Sequence, residues 1–423
     1  MNTLFCTNGR SDSLVLEGRL PSGDYVEVTV TEGVISRIVP SGASCDSRDL
    51  VLAPAFVDPH VHLRSPGRED EETIASGTAA AAAGGYCAIL AMPNTDPVVD
   101  SAAVLGSLIA NAKRDALIPT GFMAAISKRL GGEELTEMGE LADAGAAAFT
   151  DDGRPVTSAG LMRRALQYGA ITDRTLALHC EEPTLSRDGQ VHEGAVCAEL
   201  GFAPYPSLAE SAMVERDLSL AGYEGRSLHL MHLSAKESVE ALEAAQARGV
   251  QATAEVTPHH LVLTDEAVRS FDPNVKMNPP LRSDDHRRAL IRGLCNGAIG
   301  AIATDHAPHS RDEKSAPFEE APFGVTGLET SFAALYTHLV QTGLVPLETL
   351  LERMSGGPAR ALGLPEPRIE VGARANLVLL DLDAEWSVEE AGFRSRSANS
   401  WLLGHTLHGV VLKTVADGRL VHG

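Results

Sequence analysis

Four histidines, an adjacent pair of aspartates and one further aspartate stand where short apolar runs of this chain end. His60 and His62 are two residues apart in Asp58-Pro-His-Val-His-Leu-Arg64, so in an extended segment both imidazoles leave the same face. His179 and His232 end the runs 175–179 and 227–232, Asp151 and Asp152 follow 146–150, and Asp305 follows 300–304. Imidazoles with carboxylates suit zinc or a similar borderline cation, and six such groups suffice for two ions. Taken singly, each histidine is more simply a hydrogen-bonded core residue. Their joint placement at run ends argues for a metal centre. Arg64 lies two residues beyond His62, so it shares that face and offers a planar fork suited to a carboxylate. A plain surface charge is the alternative reading of Arg64.

The elements that would hold these groups are eight apolar runs, at 51–58, 86–92, 120–125, 146–150, 175–179, 227–232, 251–256 and 300–304. Ala/Leu-rich stretches separate them, including 158–168, 235–248 and 284–295, with Thr157 or Ser158 capping the first and Ser234 the second. Alternating β and α units predict a parallel sheet, and eight of them predict a closed (β/α)8 TIM barrel whose strand ends converge on one face. A doubly wound open sheet would want a Gly-rich turn after its first strand, where this chain has Asp58-Pro-His-Val-His. Both ends of the chain alternate in strand fashion, at 25–30, 34–39, 375–381 and 409–415. Residues 1–53 and 368–423 are therefore expected to pair into one small β-sandwich domain beside a barrel of 54–367, two separate terminal hairpins being the alternative.

With 44% hydrophobic and 22% charged residues the 423-residue chain has an ordinary globular balance. A net charge of −22 repels nucleic acid and anionic lipid, so neither is an expected partner, and ordinary solubility explains the charge as well. An anionic substrate would need a local cationic pocket. Cysteines 6, 45, 87, 180, 197 and 295 show no Cys-x-x-Cys spacing, so neither a disulfide framework nor a thiolate zinc site is expected. The start of the chain does not read as a secretory signal, and the uncharged stretch 73–95, split by Gly84-Gly85, reads as a helix running into a buried strand rather than a membrane span. A cytoplasmic protein is expected.

The chain resembles the cyclic amidohydrolases, and within them the bacterial class I dihydroorotases, over nearly its whole length. The segments that carry the likeness are PAFVDPHVHLRSPG (54–67), AMPNTDP (91–97), AFTDDGRPV (148–156), LHCEE (178–182), LMHLSAKES (230–238), EVTPHHL (255–261), KMNPPLR (276–282) and ATDHAPH (303–309). The resemblance implies two Zn2+ per subunit. His60 and His62 would hold one ion, with Asp305 completing its shell, and His179 and His232 the other. Hydroxide and a carboxylate would bridge them. Many relatives, hydantoinases among them, bridge with a carboxylated lysine after the fourth strand; here that place holds Thr150-Asp151-Asp152. Spacing alone leaves Asp151 and Asp152 open, whereas the resemblance selects Asp152.

The resemblance further implies reversible cyclisation of N-carbamoyl-L-aspartate to L-dihydroorotate, with Asp305 as acid and base. Arg64, Asn94 and His309 would surround the substrate carboxylate, His62 would border it, and Asn278 with the Phe323-Gly324 backbone would hold the ring. Asn94 as a turn former and His309 as a loop cap are the bland alternatives. His259, His260 and His306 read as structural or supporting residues. An allantoinase or hydantoinase is the nearest rival, and a non-catalytic partner of aspartate transcarbamoylase the more distant one. A homodimer and a transcarbamoylase complex stay open. The charged, Pro-broken segment 309–323 reads either as a flap over the site or as a solvated loop.

Overall fold

The structure, a computed structural model, describes residues 13–41 and 49–423. Cys6 and Cys45 lie outside the described residues, and Cys87, Cys180, Cys197 and Cys295 are free thiols. In chain order the strands are β1 (Leu14–Arg19), β2 (Tyr25–Thr31), β3 (Val34–Pro40), β4 (Leu50–Pro54), β5 (Phe56–Val61), β6 (Tyr86–Ala91), β7 (Thr120–Phe122) and β8 (Ala177–Leu178). They continue as β9 (Val191–His192), β10 (Pro204–Tyr205), β11 (Leu228–Leu230), β12 (Ala252–Val256), β13 (Ala301–Ile302), β14 (Leu377–Ser387), β15 (Thr406–Ala416) and β16 (Arg419–His422).

Strands from both ends of the chain form one seven-stranded sheet, in the order β16-β15-β14-β4-β1-β2-β3. Its inner face follows from period-2 patterning: Val26, Val28 and Val30 of β2 are buried and pack with Leu16, Ile35, Leu52, Leu377 and Val415. The antiparallel β4–β14 pairing, from Leu377↔Pro54 to Asp381↔Leu50, joins the early and late segments directly. The run 51–58, read as one strand in the sequence, is two. Ala55 N donates to Asn376 O, while Phe56 N donates to Gly85 O, so the hydrogen-bond partner changes between adjacent residues. The one cue in the run is Pro54, which lacks an amide donor and ends the first strand; the burial of both halves otherwise hides the change.

Downstream of that break all pairings in the three- and four-stranded sheets are parallel, in the orders β5-β6-β7 and β8-β11-β12-β13. Phe149 makes parallel bridges to Ala124 and to Leu176, and Val61 makes one to His306. The expected strand 146–150 is thus an irregular segment centred on one bridge residue. Its amides still donate on both sides, Ala147 N to Phe122 O and Phe149 N to Thr175 O.

Helices fill the intervals. Ile74–Ala83 starts on a Thr73/Ser76 capping box and ends at Gly84, where a Cβ would stand 2.0 Å from Leu328 O. It leads into β6, as the uncharged stretch implied. Ser158 caps Ala159–Thr172 through Leu161 N. Ser234, however, does not cap Lys236–Ala247: Ala235 holds that position, and the Ser234 hydroxyl instead bonds the buried carboxylate of Glu210 and accepts from Arg282 Nε at 3.1 Å. Among the described residues no helix is long and apolar enough to cross a membrane.

Candidate metal centre

β5 carries His60 as part of its strand and His62 just beyond it. His179 follows β8, His232 follows β11, and Asp152 and Asp305 follow Phe149 and β13. All six side chains are buried. Asp152 is the hub. Its carboxylate oxygens lie 3.7 Å from His60 Nε2, 3.5 Å from His62 Nε2, 3.6 Å from His179 Nδ1 and 3.7 Å from His232 Nε2. Asp305 Oδ1 lies 3.1 Å from His62 Nε2 and 3.4 Å from His60 Nε2. Arg64, His232 and Asp305 adopt positive φ (55°, 31° and 47°), which for non-glycine residues costs energy that the surrounding packing must offset.

Three of the four imidazoles are aimed from behind, whereas His232 Nδ1 is buried without a hydrogen-bond partner. His60 Nδ1 donates to Glu255 Oε1 at 2.9 Å, His62 Nδ1 to Asn94 Oδ1 at 3.0 Å, and His179 Nε2 to Glu181 Oε2 at 3.1 Å. These bonds fix the tautomers so that the other ring nitrogens face Asp152 as electron-pair donors. Glu255 also accepts from His229 Nε2 at 2.9 Å, and Asn94 Nδ2 donates to Asp152 Oδ2 at 3.0 Å. Glu181 and Glu255 went unread in the sequence. Glu181 had a signal, since it lies two residues past His179 in LHCEE; Glu255 had one as a lone carboxylate in the run 251–256, but its partner His60 is remote along the chain.

Asp151 points the other way. Its carboxylate accepts from Ile126 N at 2.8 Å and Ser127 N at 3.0 Å, and also bonds the Ser127 hydroxyl. Burial lifts its pKa to about 6 despite those bonds. Burial also acts to raise Asp152, but His60, His179 and His232 outweigh it and hold that carboxyl well below the usual range.

The donor set fits a divalent cation. His60 Nε2 is buried without a hydrogen-bond partner although two carboxylates stand 3.4 and 3.7 Å away. Two ligands about 2.0–2.1 Å from one tetrahedral ion lie roughly 3.3–3.5 Å apart, close to the separations seen here. Two triads, His60/His62/Asp305 and His60/Asp152/His232, each bring their ligand atoms within 4.8 Å of one another.

A cavity of about 180 Å³ opens onto this cluster, lined by His62, Arg64, Asn94, Asp152, Gly153, His179, His232, Asn278, Asp305, Ala307, Phe323 and Gly324. Arg64 Nε donates to Pro308 O at 3.0 Å and lies 3.3 Å from Glu71, which fixes the guanidinium plane. His309 meets the same corner through Arg64 Nη2 at 3.2 Å and Phe323 O at 2.8 Å. Asn278 Nδ2 donates to Glu181 at 3.0 Å, leaving Oδ1 unpartnered. Gly324 has φ +122°, and a Cβ there would meet Ala307 at 2.7 Å and His309 at 3.2 Å, so only glycine fits this wall. His260 bonds Thr257 and Pro279 O, and His306 bonds Glu72 and Gly327 N. His259 is buried with Nε2 unpartnered, and burial with the nearby His260 holds it well below the usual range.

Among solved structures the fold is similar to the L-hydantoinase (dihydropyrimidinase) of Arthrobacter aurescens, with a TM-score of 0.85 and 25% identity over 96% of this chain and 94% of that one. The mixed α/β fold and the His/Asp cluster place the protein among the cyclic amidohydrolases. A family model described as Dihydro-orotase-like matches residues 49–238. The dihydroorotase of Caldanaerobacter subterraneus is 42% identical over 97% of this chain and 96% of its own, and that of Listeria innocua 44% over 94% of each. The chain belongs to the dihydroorotase family.

Proposed function

We propose that this protein is a zinc-dependent dihydroorotase, interconverting N-carbamoyl-L-aspartate and L-dihydroorotate in a (β/α)8 barrel of residues 54–367. Residues 1–53 and 368–423 would supply the small β domain. The parallel bridges of Phe149 to Ala124 and Leu176, with that of Val61 to His306, support barrel closure. The observation that carries the functional reading is the convergence of four imidazoles on Asp152, beside Asp305 and Arg64 in one cavity.

In this reading His60, His62 and Asp305 would hold one zinc ion and His179 and His232 the other, with Asp152 within reach of both groups. When bound, the ions supply an activated water and polarise the ring amide carbonyl. Arg64 receives the substrate carboxylate, its fork held rigid by Pro308 O and Glu71. Asn94 and His309 flank that group, while Asn278 Oδ1 and the Phe323-Gly324 backbone meet the ring. Asp305 accepts the proton of the attacking water and returns it to the ring nitrogen as the C–N bond breaks. Cyclisation reverses these steps, with the β-carboxylate losing an oxygen as water.

Arg64 and the absence of a lysine after Phe149 favour dihydroorotate over hydantoin or allantoin. All six ligand positions are filled, which disfavours a non-catalytic scaffold. The test is to offer dihydroorotate, hydantoin and allantoin to one preparation with its metal quantified. Preferential turnover of dihydroorotate by protein with about two zinc ions per chain is expected; preference for either other ring, or turnover unaffected by chelation, overturns the reading.

A further inference from the structure

Two buried lysines lie outside the chemistry just described. Lys276 is 3% exposed, and its ammonium donates to the backbone carbonyls of Phe318 (2.7 Å), Glu319 (3.0 Å) and Ala321 (2.7 Å). It also sits 5.4 and 4.9 Å from the ring centroids of Phe318 and Phe323. Lys314 reaches back in the opposite sense, donating to Pro273 O at 2.9 Å and Pro322 O at 2.8 Å. The exchange is reciprocal: a lysine of the 273–282 segment holds the 310–322 segment, and a lysine of the latter holds the former. Gly324 N completes it by donating to Lys276 O at 2.9 Å. Burial pulls the Lys314 pKa down to about 7, with the nearby Lys276 charge adding to the effect.

A buried ammonium is costly unless its donors are satisfied; Lys276 places three on carbonyls and Lys314 two, which commits both side chains to these segments. One segment carries Asn278 and the other leads into Phe323-Gly324. We infer that Lys276 and Lys314 are positioning residues that staple the two halves of the substrate wall in register, making 310–322 a fixed wall rather than a flap. The inference rests on the proposed role of Asn278 and Phe323-Gly324 in holding the substrate ring.

The test compares Lys276→Met and Lys314→Met, which keep length and lose the donors, with Lys276→Arg and the parent, all loaded with zinc. For Lys276→Met, KM for dihydroorotate should rise about tenfold or more, the scale of one lost charged hydrogen bond. Its kcat should stay within about threefold and its metal content should be unchanged. Lys276→Arg should recover part of the KM. Both Met variants should become cleavable by protease within 310–322 where the parent resists. An unchanged KM with parent-like resistance overturns the inference, as does a loss confined to kcat and metal content. If Lys276→Met fails to fold, Lys314→Met decides by the same two readouts. Proteolysis needs no substrate, so a parent that ignores dihydroorotate refutes the proposed activity and leaves the staple to be judged by cleavage alone.

Discussion

Asp151 and Asp152 are neighbours in the chain and face opposite sides of it: Asp152 stands within 3.7 Å of four imidazole nitrogens, while Asp151 is tied to the Ile126 and Ser127 amides. The chain turns here, Arg154 N donating to Asp151 O at 3.1 Å across Asp152-Gly153, so the two side chains leave in different directions. The divergence turns an ambiguous pair into a clear expectation. Asp152→Ala should lose metal and activity together, since a carboxylate shared by two cations cannot be removed without leaving their charges less screened. Asp151→Ala should keep at least one zinc per chain. Metal quantification on both variants checks this, and the reverse pattern would exchange the two roles.

Asp305→Asn should separate chemistry from binding. The amide keeps the shape of the carboxylate but cannot carry the proton between water and ring nitrogen. Turnover should fall at least ~10²-fold in both directions, with substrate still bound and metal only partly lost. Near-normal turnover at full metal content would assign the proton to another group.

Arg64→Lys keeps the charge and loses the fork that Pro308 O and Glu71 hold in place. The expected loss is about 1.5–3 kcal/mol in transition-state binding, read from kcat/KM. An unchanged kcat/KM would show that Arg64 does not meet the carboxylate.

His192 provides a pH dependence away from the metal centre. Burial first, and then the Arg282 cation, pushes its pKa from 6.5 down to about 3. Its Nδ1 accepts from Arg282 Nη1 at 3.3 Å, which requires that nitrogen to be unprotonated. Below pH 6.5 the unfolded chain takes up a proton that the native imidazole refuses, so stability falls as pH drops from 6.5 toward 3. His192→Gln removes this loss, and its denaturation midpoint should rise relative to the parent's as pH falls through that window. A constant offset between the two would contradict the shift.

Much of the centre was legible from local order along the chain. His60, His62 and Arg64 announce a shared face because strand side chains repeat every two residues. The apolar runs preceding His179, His232 and Asp305 marked those residues as strand ends, since such runs are short and bounded by polar residues. What the chain order could not carry was any relationship set by folding across distance. The partner switch between Ala55 and Phe56 lies inside one mostly apolar run, and it is the pairing of β4 with β14 and of β5 with β6 that reveals it. Glu255 aims His60 across 195 residues, and Ser234 forgoes a helix cap for the buried Glu210. The positive φ of Arg64, His232 and Asp305 belongs to the same class, because only surrounding packing offsets its cost. Residue types and spacing thus determined which groups gather; the tertiary structure decided which nitrogen each histidine presents, which aspartate faces inward and which lysines hold the wall, because those outcomes depend on hydrogen bonds between segments that the sequence keeps apart.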